Sequence, residues 1–151
     1  MISSMETSDI NQFNFTYRRN LELNFRDFDS FQHVNNGVYF LWFENARVNL
    51  SMEVLQIFKA SALPITMANI GCQFLCPIKI GDCVWIEAGI SKVSEKSFEL
   101  TYRVHEKLNG LCAVGTSIQV YFDHQTGRSS IFPTEVKNQL LHHSALKKRI
   151  K

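Results

Sequence analysis

The sequence predicts an α+β fold in which a curled antiparallel sheet wraps around one long, mostly buried helix. The segment 37–59 lacks proline and turn signals, which is typical of a single long helix. Beyond residue 64, apolar residues recur at every second position, as in half-buried strands. The short connections between these strands favour antiparallel neighbours. The helix is the only large apolar surface that such a sheet could cover.

The elements can be taken in chain order. Tyr17 to Asp27 alternates Leu21, Leu23 and Phe25 with polar residues, which predicts a first strand. Asn35 and Asn36 are residue types that cap helix N termini, so the helix is expected to begin there. Four polar residues then recur at spacings of four, four and three, and they predict one narrow wet stripe on the helix. They are Asn45, Asn49, Glu53 and Gln56.

Four alternating segments follow the helix, and together they predict the body of the sheet. They run from Ile70 to Cys76, from Val84 to Ser91, from Phe98 to Val104 and from Cys112 to Phe122. The last is the longest alternation, with apolar residues at 112, 114, 118, 120 and 122. Arg128 to Phe132 predicts a short final strand. Pro133 and Thr134 can open a short C-terminal helix over 135–147.

Composition restricts the class of protein. The chain has 151 residues and shows no internal repeat or linker, so we expect one domain over 17–147, a flexible tail over 1–16 and a basic tail over 148–151. A net charge of +2 gives no electrostatic case for nucleic acid. The first eighteen residues lack the pattern of a signal peptide, and no apolar run is long enough to span a membrane. These features predict a cytoplasmic protein.

The four cysteines give no sign of a metal site or a disulfide framework. They stand at positions 72, 76, 83 and 112, without a Cys-x-x-Cys pair and without histidines at ligand spacing. The alternation places all four on strand faces or beside them, where free cysteines behave as small apolar residues. No metal and no cofactor is expected.

One stretch, RDFDSFQHVNNGVYFLWFENAR at 26–47, joins a polar cluster to the most apolar segment of the chain. It resembles the signature of hotdog-fold thioesterases of the 4-hydroxybenzoyl-CoA thioesterase type. That pattern is Asp-x-Asp, a loop ending in His-Val-Asn-Asn, a Tyr, and a helix with Glu-x-Ala-Arg. Weaker matches at 74–82, 96–98 and 120–127 extend the resemblance over about residues 20–133. Gln32 stands where many members carry Gly, and this form resembles the long-chain acyl-CoA thioesterase branch.

The resemblance implies roles for residues around the start of the helix. Asp29 matches the catalytic carboxylate, as general base or nucleophile. Asn36 matches the backbone N–H that forms the oxyanion hole, with Gly37 as a second candidate. His33 could orient Asp29 or the substrate, or simply be satisfied by loop backbone. Asp27 is expected to be structural.

The same resemblance implies a substrate side and a structural pair. Glu44 and Arg47 are spaced to pair on the helix surface, although a second branch of hotdog thioesterases uses a helix Glu as its base. Lys92, Arg103 and the basic residues 147–149 could add phosphate contacts for CoA. The residues expected on the substrate side are Gln32, Asn35, Gly37, Tyr39 and Lys96, with Tyr39 lining an acyl slot or packing in the core.

The function implied is hydrolysis of medium- to long-chain fatty acyl-CoA by a homodimer or homotetramer. In this fold the sheets of two subunits join edge to edge, with active sites at the subunit boundary. Acyl carrier protein is an alternative partner. Two other classes stay open: a non-catalytic module that binds acyl-CoA or acyl carrier protein, and a hotdog hydratase or dehydratase. The hydratase motif would need Asn-Pro between the Asp and the His, which this chain lacks.

Overall fold

The computed structural model describes residues 15–144, which form one long helix, one short helix and six strands. In chain order they are β1 Tyr17–Leu21, α1 Asn36–Leu55, β2 Ile65–Phe74, β3 Val84–Val93, β4 Ser97–Glu106, β5 Gly110–Asp123, β6 Arg128–Ser129 and α2 Thr134–His142. Short 3₁₀ turns lie at Phe25–Asp27 and Ala60–Ala62. The predicted α+β arrangement is confirmed, including the short C-terminal helix.

The strands form one antiparallel sheet in the order β1-β3-β4-β5-β2, with β6 pairing to β5. Tight connections make β3, β4 and β5 consecutive neighbours. In the turn between β4 and β5, Gly110 has a φ of 78°, and the Glu106 carboxylate accepts hydrogen bonds from the N–H groups of Leu108 and Asn109. The remaining edges of the sheet are β1 and β2.

The sheet packs against one side of α1, and this contact forms the core. Phe43 is fully buried and stacks on Tyr102 of β4 with ring centroids 4.5 Å apart. The apolar residues predicted to alternate on β3 and β4 are all buried, among them Ile86 and Leu100. Three residues of the predicted polar stripe, Asn45, Asn49 and Glu53, are exposed on α1 as expected. Gln56 is exposed too but lies beyond the helix, and Leu41 and Glu44 are exposed on α1 as well.

The end of α1 and the extent of the first strand differ from the prediction. The helix stops at Leu55, since Gln56 takes the left-handed conformation with a φ of 54°. Phe58, predicted to lie in the helix, is 94 % exposed beyond it. The first strand ends at Leu21, and Phe25, predicted to face the core, is 92 % exposed in a 3₁₀ turn.

Other boundaries also move. β2 begins at Ile65, before the predicted Ile70, because an irregular register between Met67 and Asn69 interrupts the alternation. β6 ends at Ser129, and α2 ends at His142 rather than 147. The predicted terminal tails, apart from residues 15–16, and the basic residues 147–149 lie outside the described residues.

The largest difference from the prediction is which side chains of β5 point toward the core. From Gly115 onward its core-facing residues are Gly115, Ser117 and Gln119, all buried, whereas Thr116 and Ile118 lie on the outer face and are partly exposed. Ser117 Oγ lies 2.6 Å from Tyr102 Oη and accepts a 2.5 Å hydrogen bond from Gln119 Nε2. The Ser117 hydroxyl thus bonds to both Tyr102 and Gln119, whereas Gln119 Oε1 is buried without a partner among the described residues, and this polar series displaces the apolar series outward.

In the part of the chain that the structure describes, neither helix is long and apolar enough to cross a membrane.

Candidate active site

The polar loop before α1 folds back on itself. Phe28 and Val34 form an antiparallel bridge, and inside it Asp29 N–H donates to His33 O at 2.8 Å. Gln32 N–H donates to Asp29 O at 3.0 Å and closes the loop. A further bridge joins His33 to Lys79 and ties the loop to the segment after β2. The position of Asp29 is therefore fixed by backbone hydrogen bonds on both sides.

Gln32 occupies the strained position of this loop. Its φ of 63° lies in the left-handed region, where a side chain costs about 1–3 kcal/mol. This conformation gives a physical reason for the glycine that many hotdog thioesterases carry here. The exposed side chain of Gln32 points to solvent and is absent from the cleft described below.

Gln32→Gly should raise the free energy of unfolding by up to about 1 kcal/mol, since relief of strain outweighs the added entropy of the unfolded chain. Urea denaturation measures this. Gln32→Ala is the matched control, because it keeps the Cβ atom and hence the strain. Equal stability of the Gly and Ala variants would show that the backbone at residue 32 is not strained.

The Asp29 carboxylate uses its two oxygens differently. Oδ1 accepts hydrogen bonds from Phe31 N–H at 2.9 Å and from His33 N–H at 3.2 Å. Oδ2 has no hydrogen-bond partner within residues 15–144. One oxygen thus anchors the side chain while the other is available to a water molecule or a substrate.

The start of α1 leaves one amide free. Asn35 is the N-cap, and its side chain accepts a 2.9 Å bond from Gly37 N–H. Asn35 N–H donates to Asp27 O, and Val38 N–H donates to Asn35 O. The N–H of Asn36, the first helical residue, has no partner among the described residues. Of the two predicted oxyanion donors, Asn36 is therefore free and Gly37 is occupied.

Asp29 and Asn36 line the same cleft, which has a volume of about 230 Å³. The cleft lies between the start of α1 and the end of β2. Its lining includes the residue that carries the free carboxylate oxygen, the residue that carries the free amide N–H, and apolar side chains. The full lining is Asp29, His33, Val34, Asn36, Tyr39, Phe74, Leu75, Cys76 and Pro77.

His33 and Tyr39 are the other predicted residues that reach this cleft. His33 orients Asp29 through its main-chain N–H, and its imidazole has no hydrogen bond to another described residue. Tyr39 is both buried and part of the wall, and its ring meets Phe74 edge-on at 5.0 Å. Burial, followed by the nearby thiols Cys112, Cys72 and Cys76, raises the pKa of Tyr39 well above its usual range.

Two carboxylates of the motif lie outside the cleft. Asp27 Oδ2 accepts a 2.7 Å bond from Asn24 N–H, which is a local structural role. Glu44 is exposed and makes no ion pair with Arg47 in the described structure, so the predicted surface pair is wrong. The Arg47 side chain turns inward instead, and its guanidinium lies near the Tyr102 hydroxyl. Its Nη1 atom is buried and has no hydrogen-bond partner in the described structure.

Of the predicted phosphate-binding residues that the structure describes, Lys96 and Arg103 do not line the cleft with Asp29. Lys96 is exposed in the β3–β4 turn, and its carbonyl accepts a 2.7 Å bond from Tyr121 N–H, beside the Ile65 end of β2. The cleft lies at the Phe74 end of β2, about 30 Å away at 3.3 Å per residue. Arg103 is engaged by Glu87 on the outer face of the sheet at 2.7 Å.

Sequence reasoning missed the second wall of the cleft. Phe74, Leu75, Cys76 and Pro77 come from the end of β2, far from the motif in sequence. The only signal was the weaker match at 74–82, which does not show that this segment faces Asp29.

A larger cavity, of about 640 Å³, lies elsewhere in the described structure. It separates the end of α1 from α2, and neither Asp29 nor the start of α1 contributes to it. Within residues 15–144, no group of three or more His, Cys, Asp or Glu side chains is placed to hold a metal ion. The smaller cleft is therefore the candidate active site, because it unites a free carboxylate oxygen with a free amide.

Comparisons with known proteins identify the fold and the family. An uncharacterized protein of Bacillus subtilis strain 168, YsmA, is 25 % identical over 129 residues, covering 85 % of this chain and 87 % of its own. A predicted thioesterase from Bacillus stearothermophilus superposes with a TM-score of 0.79 at 20 % identity, over 87 % of this chain and 98 % of its own. A thioesterase from Thermus thermophilus, solved with coenzyme A and Zn, superposes with a TM-score of 0.76 at 23 % identity, over 84 % of this chain and 98 % of its own. These structures share the hotdog fold.

The model of the Thioesterase-like superfamily matches residues 23–140, which span the loop, α1, the sheet from β2 to β6 and most of α2. The match covers well over half of the chain, and so this protein belongs to the Thioesterase-like superfamily.

Proposed function

We propose that this protein hydrolyses acyl-CoA thioesters to a free acid and CoA, with Asp29 as general base or nucleophile. The observation that carries the proposal is the pairing, in one cleft, of the unpartnered Asp29 Oδ2 with the unpartnered N–H of Asn36. Thioester hydrolysis needs a carboxylate that activates the attack and a donor that stabilises the oxyanion.

The steps follow from this arrangement. The thioester carbonyl oxygen accepts the Asn36 N–H at the positive end of the α1 dipole. Water attacks the carbonyl carbon as Asp29 Oδ2 takes its proton, and the oxyanion forms against Asn36. The C–S bond then breaks, and the CoA thiolate receives the proton. If Asp29 attacks directly, an acyl-aspartyl anhydride forms first and water hydrolyses it.

Release of free CoA tests the proposal. The protein is incubated with palmitoyl-CoA and a thiol reagent, and free thiol is followed with time. Steady release supports hydrolysis. Tight binding without release would instead indicate a non-catalytic module for acyl-CoA or acyl carrier protein.

Acyl chains of about eight carbons or more should be preferred, because each buried CH₂ contributes about 0.8 kcal/mol. The apolar wall of the cleft, formed by Tyr39, Phe74 and Leu75, supports this expectation. Across a panel of saturated acyl-CoA substrates, kcat/KM should rise by up to about fourfold per carbon until the slot is full. A flat profile, or faster turnover of benzoyl-CoA than of decanoyl-CoA, would contradict it.

The cleft of one chain is small for such a ligand, since ligand pockets usually measure about 300–1,000 Å³. It opens beside β2, where Phe74 and Leu75 are partly exposed. We therefore propose that a second copy completes the site by pairing along β2. A comparison of the two edge strands, β1 and β2, favours β2 as the strand that pairs with a second copy.

β1 is short and carries Arg18 and Arg19, which discourage pairing with another chain. β2 has ten residues, ITMANIGCQF, without a charge or a proline. In the described structure β2 pairs only with β5, so its outer edge is open. Antiparallel pairing of two β2 strands would bring the Ile65 end of one chain beside the Phe74 end of the other. The partner's Lys96 turn would then approach the cleft and its CoA phosphates.

This assembly makes two linked predictions. Light scattering at micromolar concentration should give a dimer or tetramer of the 17.4 kDa chain, and a stable monomer would refute the assembly.

An equal mixture of Asp29→Asn and Lys96→Ala chains, dissociated and allowed to reassociate at random, should regain about a quarter of wild-type kcat/KM. Half of the dimers then contain one chain of each kind, and one of the two sites in such a dimer is complete. Activity no higher than the mean of the two variants would place Lys96 outside the partner's site.

A further inference from the structure

Cys76 and Cys112 form a close thiol pair in the wall of the cleft. Their Sγ atoms lie 2.7 Å apart, about 0.7 Å more than a disulfide bond. Both are free thiols in this structure, and they lie 36 positions apart in the sequence. The proximity therefore results from the fold and is not a local sequence motif.

The backbone holds the two cysteines in this position. The N–H groups of Leu75 and Cys76 both donate to Cys112 O, at 2.8 and 3.2 Å. Cys112 also lies at the irregular register between β4 and β5, next to the paired residues His105 and Leu111. A disulfide between the two would need only a small movement of the side chains, because the strands are already fixed against each other.

The two thiols differ in access. Cys76 is partly buried and lines the cleft with Asp29 and Asn36. Cys112 is fully buried behind it, and burial raises the pKa of its thiol to about 12. A reagent that enters the cleft therefore meets Cys76 first, and Cys112 can react only with a group already attached to Cys76.

We propose that Cys76 and Cys112 are a thiol–disulfide exchange pair whose substrate is a low-molecular-weight disulfide containing CoA. The choice of CoA rests on the proposed acyl-CoA hydrolysis, because the same cleft would then bind the CoA part of the disulfide. The Cys76 thiolate attacks one sulfur of CoA disulfide, forming a Cys76–CoA mixed disulfide and releasing one CoA thiol. Cys112 then attacks Cys76 Sγ, its proton passes to the second CoA thiolate, and an internal disulfide remains. The protein is oxidised by two electrons and CoA disulfide is reduced to two CoA thiols.

The mixed disulfide and the internal disulfide both act on the candidate active site. Cys76 precedes Pro77 and Ile78, and Ile78 O accepts the N–H of Val34 at 2.9 Å. Movement of Cys76 toward Cys112 is thus transmitted to the loop that holds Asp29. An oxidised CoA pool would change the activity of the same cleft that consumes acyl-CoA.

Intact-protein mass spectrometry after incubation with CoA disulfide tests this inference. Wild type should lose two hydrogens, release two CoA thiols per chain and yield a Cys76–Cys112 cross-linked peptide. Cys112→Ser should stop with one CoA moiety attached to Cys76, and Cys76→Ser should show neither product. Cys83 is exposed and outside the cleft, so CoA disulfide can form an adduct there as well; the three proteins are therefore compared in a Cys83→Ser background, which removes that adduct and should leave the Cys76–Cys112 products unchanged.

CoA disulfide should react at least about tenfold faster than glutathione disulfide, equivalent to about 1.4 kcal/mol of recognition. Equal rates, an unchanged mass or a persistent CoA adduct at Cys76 while Cys112 is present would overturn the inference. Peptide mapping of wild type does not depend on whether the variants fold. Acyl-CoA hydrolysis by the same reduced preparation separates the two proposals: hydrolysis without disulfide formation rejects only the exchange pair, and disulfide formation without hydrolysis rejects only the hydrolase.

Discussion

Asp29→Asn should lower kcat by about 10²–10⁴ while leaving fold and assembly unchanged, because a positioned acid or base contributes about that much. The structure shows why the substitution should remove the proton acceptor without disturbing the loop. The amide oxygen can keep the two bonds that Oδ1 accepts, from Phe31 N–H and His33 N–H. The amide NH₂ then replaces Oδ2, the oxygen without a partner among the described residues, and it cannot accept a proton or attack a carbonyl.

Steady-state hydrolysis of the best acyl-CoA measures the effect, with circular dichroism as the fold control. Asp27→Asn is the matched control, because its carboxylate bonds to Asn24 N–H outside the cleft, and we expect a loss below about tenfold. Substrate binding by the Asp29 variant should persist, since the acyl slot and CoA contacts supply it. If the folded Asp29 variant keeps more than about a tenth of wild-type kcat, the reaction does not run through this residue, and Glu44 becomes the next carboxylate to test.

Gly115→Ala should cost about 1–3 kcal/mol of the free energy of unfolding, the usual range for overpacking a dense core. A Cβ at this position would lie 2.5 and 2.6 Å from Cε2 and Cζ of Phe43, and 3.2 Å from Gly71 O. Phe43 cannot move away easily, because its ring is fully buried and stacked on Tyr102. Helix α1 must therefore move away from β5, or the ring must leave its preferred rotamer.

A double-mutant cycle with Phe43→Leu isolates this contact. Leucine lacks the ring atoms that the new methyl would meet, so Gly115→Ala should cost clearly less in the Phe43→Leu background. Urea denaturation of the four proteins gives the comparison. An identical cost in both backgrounds would mean that the strain arises elsewhere, for example at Gly71 O.

The fold was predictable where burial follows apolar periodicity. On β3 and β4 the alternating residues, such as Ile86 and Leu100, are buried as the pattern indicates. β5 was misassigned because Ser117 and Gln119 are buried through hydrogen bonds to each other and to Tyr102. Periodicity counts apolar side chains and cannot detect polar groups that satisfy one another across strands.

The candidate site was predictable where it is local in sequence. Asp29, His33, Asn36 and Tyr39 lie within a few residues of one another, and all four reach the cleft. The wall from β2 and the Cys76–Cys112 contact depend on strand pairing between distant segments, which spacing does not reveal. Lys96 matches the family pattern but lies at the far end of the sheet, and a motif does not specify which chain of an assembly supplies a residue.

The uncharged edge of β2 also has a consequence for the solubility of the single chain. Natural sheets usually protect a long edge with lysines, prolines or covering loops, because exposed N–H and C=O groups recruit any strand that they meet. Within the described residues, β2 has an irregularity near Ala68 and no other such protection, and Met67, Phe74 and Leu75 add exposed apolar surface beside it. In the proposed assembly, a newly folded chain would expose this strand edge to other chains until its partner covers it. Substitutions on the outer edge of β2 would then be expected to change solubility and folding yield, even where they leave the cleft intact.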